Sequence, residues 1–182
     1  MGDARQRLLD AAVEHLAAHG LTDLSLRQLA TALGTSHRML IYHFDSKEGL
    51  LVEVIRAVEL RQREAFADLY AAGSPAEVIR EFWRRLSEPA LWPHERLFFE
   101  IYGQALQGRP GTTSLLDGVV ENWLEPGVRA AEHWELDPAT ARAEARLGLA
   151  VVRGLLLDLL ATGDREGTTA ALERFAANYE RE

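Results

Sequence analysis

The stretch LSLRQLATALGTSHRMLIYHFDSKEGLL, residues 24–51, decides how this chain folds. Ser25-Leu-Arg-Gln28 has the spacing of a capping box, in which the serine and glutamine side chains each satisfy a backbone N–H left over at a helix start. Leu24, just before the cap, is placed to staple onto Leu29. Leu26, Leu29, Ala30 and Leu33 then recur at i, i+3, i+4 and i+7, a short apolar stripe that Gly34 closes. Ser36 caps another short helix, with Leu40 and Phe44 one turn apart on its inner side. Asp45, with Glu48 three residues on, opens a long helix through Leu50, Leu51, Val54, Ile55, Val58 and Leu69 to Tyr70. Two short helices joined by a glycine turn of about three residues have the layout of a helix-turn-helix.

Charge sets this stretch apart. The chain carries a formal net charge of −8, yet from Leu24 to Phe44 there is no Asp or Glu, its longest run without one. Ser36, His37, Arg38, Tyr42, His43 and Lys47 gather there. With Leu40 and Phe44 turned inward, His37, Arg38, Ile41 and Tyr42 face outward or lie on the flank. Ser36 and the first N–H groups of its helix stand at the positive end of the helix dipole. Arg38 can fork onto guanine or phosphate, His37 can donate to either, Ile41 suits a thymine methyl and Tyr42 can donate to a phosphate oxygen. Lys47 occupies a helix N-terminus, where cations are disfavoured, and a phosphate in front of it accounts for the placement. The plainer reading of such a cluster is a solvated polar face, and for His43, beside Phe44, packing with a donated backbone hydrogen bond is that reading.

The rest of the chain sets the frame. At 182 residues, 47% hydrophobic and 26% charged, it reads as one large or two small soluble globular domains. No apolar run approaches the roughly 20 residues that span a bilayer, and the opening MGDARQRLLDAA lacks the features of a signal peptide. Cysteine is absent, which removes disulfides and thiolate chemistry and agrees with a cytoplasmic location. Residues 1–70 hold 8 basic and 10 acidic residues and the remainder 12 and 18, so most of the negative charge lies away from the opening stretch. That balance argues against a protein that coats nucleic acid indiscriminately and leaves room for a local positive face.

Periodicity predicts an all-α fold. A first helix runs from Asp3, boxed with Gln6, to Gly20 with Leu9, Val13 and Leu16 on one face. Ser74-Pro75-Ala76-Glu77 starts another, and helices follow over 75–87, 94–107, 112–132 (kinked or split by Pro126), 138–162 and 166–180. GRPGTTS, residues 108–114, reads as a loop. Aromatics crowd between Phe82 and Trp134, a pattern that fits either simple core or a largely apolar ligand cavity. Leu147, Ala150, Val151, Gly154, Leu155 and Asp158 recur at helical spacing, with Leu172, Phe175 and Ala176 on the last helix. So apolar a segment needs cover, from its own chain or from a partner helix.

The apolar-Ser-x-Arg-x-apolar-Ala helix, Gly34, Ser36, then His43-Phe44 and Ser46-Lys47-Glu48-x-Leu50 resemble the DNA-binding region of the TetR family of bacterial transcriptional regulators. The resemblance is specific over residues 3–55 and architectural beyond. It implies a helix-turn-helix DNA-binding domain of three helices, residues 1–48, joined by a long helix to an antiparallel helical effector-binding and dimerisation domain, residues 49–182. It implies contacts to operator DNA from Ser25, Arg27, Thr35, Ser36, His37, Arg38, Met39, Ile41, Tyr42 and Lys47. It also implies a homodimeric repressor on a palindromic operator, released by a small hydrophobic effector. The expected effector contacts are Trp83, Phe99, Tyr102 and Trp123, and the expected dimer contacts Leu147, Val151, Gly154, Leu155, Leu172 and Phe175. The family usually has tyrosine where this chain has Ile41, and often a small residue in place of Arg38, so an unusual operator or a contact shifted onto Arg38 is expected.

An enzyme is the competing class. Gly-x-Ser-x-Gly, His-Glu-x-x-His and a phosphate-binding glycine loop are all missing. His94-Glu95 and His133 with Glu135 could ligate metal, but lone pairs at such spacing are usually surface residues. No cofactor is expected.

Overall fold

The computed structural model describes residues 2–19, 25–71, 73–131 and 136–180. Among them only helices and turns occur: α1 (Gly2–His19), α2 (Leu26–Ala32), α3 (His37–Phe44), α4 (Lys47–Ala65), α5 (Pro75–Leu86), α6 (Trp92–Leu106), α7 (Glu121–Ala131), α8 (Pro138–Thr162) and α9 (Arg165–Ala176), with short 3-10 turns between. The Gly20 stop, the Leu24 staple and residues His133, Trp134 and Glu135 lie outside the described residues. The chain divides into two compact units, Met1–Arg61 with Pro93–Asp117, and Gln62–Trp92 with Gly118–Glu182.

In the first unit, α2 begins with the expected capping box: Ser25 Oγ accepts from the Gln28 N–H and the Gln28 side chain accepts from the Ser25 N–H. It ends in a Schellman turn, in which the Gly34 N–H reaches the Thr31 carbonyl at 3.1 Å and the Thr35 N–H reaches Ala30 at 2.9 Å. Gly34 takes φ +64°, which a glycine adopts without steric cost. That turn delivers the chain to Ser36, which caps α3 by accepting from the Met39 N–H at 3.2 Å. Leu29, Ala30, Leu40 and Phe44 are buried, as their periodicity demands, and α2 packs on α3.

The junction after α3 differs from expectation. Ser46, not Asp45, caps α4, its hydroxyl accepting from the Gly49 N–H at 2.9 Å. Asp45 instead terminates α3 at φ +63°, the sole non-glycine residue at positive φ among those described. The turn is so tight that a Cβ on Gly49 would lie 2.2 Å from the Phe44 carbonyl oxygen. This glycine is what lets α4 start hard against the end of α3. The α4 helix also stops at Ala65, and a 3-10 turn over Ala67–Ala71 replaces the expected run to Tyr70. Arg5 of α1 holds Glu53 of α4 at 2.6 Å and lies over the Phe44 ring, 5.1 Å from its centroid.

In the second unit, Ser74 and Glu77 form the capping box of α5. The α5 and α8 helices both pack on α9, and α7 packs on α8. The Trp83 indole donates to Thr169 Oγ1 at 3.0 Å, Arg80 bridges Glu173 and Glu180, each at 2.7 Å, and Arg153 donates to the Val119 carbonyl at 2.7 Å. The helix expected over 112–132 begins only at Glu121 and contains Pro126 without breaking; a 3-10 turn at Thr113–Leu116 precedes it. The α8 helix matches its expected span and closes on Gly163 at φ +74°. The final α-helix ends at Ala176, and the remaining residues to Glu180 form a 3-10 turn.

Candidate functional site

The helix-turn-helix exposes the side chains its sequence pattern turns outward. Ser25, Arg27, Ser36, His37, Arg38, Met39, Ile41 and Tyr42 are exposed, Tyr42 to 63%, and Thr35 and Lys47 are partly so. Leu40 and Phe44 on the opposite face of the same helix are buried. His43 is half-buried, edge-on to Tyr42, and its Nε2 is buried with no hydrogen-bond partner among the described residues. It is packed, as expected, but that nitrogen does not make the expected bond to backbone.

Ion pairing separates this face from the rest of its unit. Arg5, Arg7, Arg56, Arg61 and Arg109 each hold a carboxylate, from Glu53, Asp3, Glu53, Asp10 and Glu48 respectively. The Glu53 carboxyl is pushed up by burial, but the guanidinium groups of Arg5 and Arg56 outweigh that and hold it below its ordinary range. Arg27, Arg38 and Lys47 pair with no acid among the described residues. Their charge stays on the surface with Ser36 and the opening N–H groups of α3, where the helix dipole adds to it. Unpaired, their charge is available to an anionic polymer laid along this face.

The second unit contains a cavity of about 130 Å³. Its walls come from α5 (Val78, Phe82), α7 (Trp123) and α8 (Leu149, Val152), with Glu144 and Tyr179 the polar members of its lining. Phe82 and Trp123 meet edge to face, centroids 5.7 Å apart. The Tyr179 hydroxyl donates to Glu144 Oε2 at 2.5 Å.

Residues 8–54 match the model of the tetR family of bacterial regulatory proteins. A relative in Mycobacterium tuberculosis, the candidate mycofactocin biosynthesis transcriptional regulator MftR, is 31% identical over 179 residues, covering 83% of this chain and 89% of that protein. The chain belongs to the TetR family. The HTH-type transcriptional regulator BetI of Agrobacterium fabrum is 36% identical over 77 residues, 41% of this chain and 37% of BetI, so this match spans less than half of either protein. A transcriptional regulator from Rhodococcus sp. RHA1 has the same fold, with a TM-score of 0.76 at 19% identity over 96% of this chain and 95% of that one. So does a regulator from Saccharomonospora viridis solved in complex with choline, with a TM-score of 0.71 at 22% identity over 100% and 98%. The family and these relatives are DNA-binding transcriptional regulators rather than enzymes, and this TetR-family chain is one too.

Within the TetR framework the remaining candidates fall unevenly. Of the four aromatics singled out as effector contacts, Trp123 lines the cavity. Trp83 is buried and committed to Thr169, while Phe99 and Tyr102 sit on α6 in the other unit, Tyr102 stacked on Phe98 at 5.3 Å between centroids. Phe82 headed the aromatic run but was not singled out, and Glu144 and Tyr179 were missed as cavity residues, since three helices and the C-terminal turn bring them together from distant parts of the chain. On α8, Leu147 is 49% exposed, Gly154 is exposed, and Val151 and Leu155 are partly covered. Leu157, 52% exposed, extends the same apolar stripe and was not anticipated. On α9, Phe175 is partly covered but Leu172 is 0% exposed. Leu172 is therefore core of its own chain, not a surface offered to a partner. No helix is long and apolar enough to cross a membrane among the described residues.

Proposed function

We propose that this regulator is a repressor that binds a palindromic operator as a homodimer, reading it with residues 1–48, and leaves it when a small hydrophobic effector enters residues 49–182. The face around α3 carries the reading: Arg27, Arg38 and Lys47 pair with no acid among the described residues, while Arg5, Arg7, Arg56, Arg61 and Arg109 of the same unit are paired. In this assignment Arg38 and His37 meet base edges or phosphate from the first turn of α3, and Ser25, Arg27, Tyr42 and Lys47 hold the phosphate backbone. Met39 and Ile41 give the apolar contacts, with Thr35 and Ser36 at the helix entry.

Two further observations support the dimer and the effector. Leu147, Gly154 and Leu157 leave an uncovered apolar stripe along α8, which a second copy of the helix would bury, and Gly154 permits close approach. A two-fold pair of α3 helices would then reach half-sites about 34–36 Å apart. The cavity supports an effector site, and the choline held by the Saccharomonospora viridis regulator shows that protein of the same fold taking a small molecule. An effector that prefers one spacing of the two reading heads shifts the population off DNA, by no more than its differential affinity for the two states.

Selection of bound sites from a random duplex library tests this. A palindromic consensus is expected; recovery of unrelated sequences, or of a single half-site with no repeat, would overturn it.

A further inference from the structure

The chemistry of the cavity points to a class of effector. This step rests on the cavity being the effector site, and it concerns what that site selects.

Glu144 is the charged group in the cavity lining. One carboxylate oxygen accepts the Tyr179 hydroxyl at 2.5 Å, and no arginine or lysine among the described residues pairs with the group. Its neighbours in the same unit are treated differently. Glu81, Glu88, Glu121 and Glu173 each hold an arginine: Arg84 and Arg85, Arg165, Arg142 and Arg80. Other acids of the unit, such as Glu125, Asp158 and Glu166, also pair with no cation among the described residues, but they are exposed and water offsets their charge. Glu144 is half-buried against apolar walls that supply no such compensation.

We infer that the cavity takes a small organic monocation, an amine or ammonium with a compact hydrocarbon body, whose positive end meets Glu144. A neutral hydrocarbon would strip water from the carboxylate and return nothing for it. An anion would add like charge to a group already short of a partner. A cation offsets the loss and leaves its apolar body on Phe82, Trp123 and Val152. Size narrows the class further. A cavity of about 150 Å³ is enough to hold benzene, so this one of about 130 Å³ suits a body of similar bulk.

Cyclohexylamine, protonated at neutral pH, and its neutral counterpart cyclohexanol are the probes, titrated into the full-length protein and followed by NMR. The amine is expected to bind at least about tenfold more tightly, the factor a hydrogen bond to a charged group supplies. Glu144→Gln should abolish the preference, weakening the amine until the two probes bind about equally. Tyr179→Phe, which keeps the carboxylate, should preserve it. Equal affinity for the two probes, or a preference that survives Glu144→Gln, would overturn the charge assignment while leaving the cavity an effector site. Binding of neither probe to the wild type would overturn both.

Discussion

The outward face of α3 and the cavity beneath α8 solve opposite problems with the same device. Around α3, cations stand without acids: Arg27 of α2, Arg38 of α3 and Lys47 of α4 pair with none among the described residues, while Arg5, Arg56 and Arg61 in the same unit are neutralised. In the cavity a carboxylate stands without a cation: Glu144 keeps only a tyrosine hydroxyl among the described residues, while Glu121 and Glu173 of the same unit hold arginines. Surface ion pairs contribute little to stability, so their presence elsewhere is unremarkable. What teaches is the withheld pair. A charge left open on a face invites a polymer of opposite sign, and one left open in an apolar pocket invites a single small ion.

The comparison breaks most readily at the turn that holds α3 in place. Gly49→Ala would force a Cβ to within 2.2 Å of the Phe44 carbonyl oxygen, a backbone atom that cannot swing aside. The expected cost is about 3 kcal/mol, from overpacking against backbone, visible as a lower midpoint in urea unfolding. Operator affinity should fall with it, because the turn between α3 and α4 positions the reading helix. An unchanged midpoint would mean that the turn opens easily and that α3 is not held as described.

Next in size are the cations themselves. Arg38→Ala should cost about 1–3 kcal/mol in operator binding and flatten discrimination at one base pair, measured by fluorescence anisotropy on cognate and substituted duplexes. Lys47→Ala should weaken all duplexes about equally and lower the slope of log affinity against log salt by about one. If both variants bound like the wild type, the unpaired charges would be a solvated surface and the comparison would lose its first half. The stripe on α8 gives a test of a different kind: if it is the proposed dimer face, the wild type should sediment as a dimer and Leu157→Asp, at 52% exposure, as a folded monomer.

These tests depend on features that the sequence displayed unequally. Capping boxes at Ser25 and Ser74, the Gly34 stop, the inward pair Leu40 and Phe44, and the span of α8 were all legible, because each depends on residues within a turn or two of one another. The α4 cap was misread since Asp45 and Ser46 are both good capping residues. The choice between them is made by the tight approach of Gly49 to Phe44, which no local pattern reveals. Leu172 looked like part of a partner surface because its periodicity cannot say which helix covers it; α8 and α5 of its own chain do. The outward face of the helix-turn-helix draws on one stretch, residues 25–47, so which side chains it exposes could be read from local periodicity. The cavity draws Phe82, Trp123, Glu144 and Tyr179 from far apart, and only the packing of α7 on α8 and of α5 on α9 assembles them.

The smallest expected effect sharpens the comparison best, because it repeats the Gly49 substitution where the surroundings differ. Gly148 lies in the middle of α8 and lines the cavity, and a Cβ built there meets nothing within 4 Å. A glycine inside a helix costs up to about 1 kcal/mol relative to alanine, through the backbone freedom it must give up on folding. Gly148→Ala should therefore stabilise the protein by about 0.5–1 kcal/mol in the same urea assay in which Gly49→Ala loses several times as much. DNA binding by the protein without effector should not change, since the substitution leaves α3 untouched. If Gly148→Ala destabilised instead, α8 would have closer neighbours on that side than the cavity implies, and the room assigned to an effector would not exist.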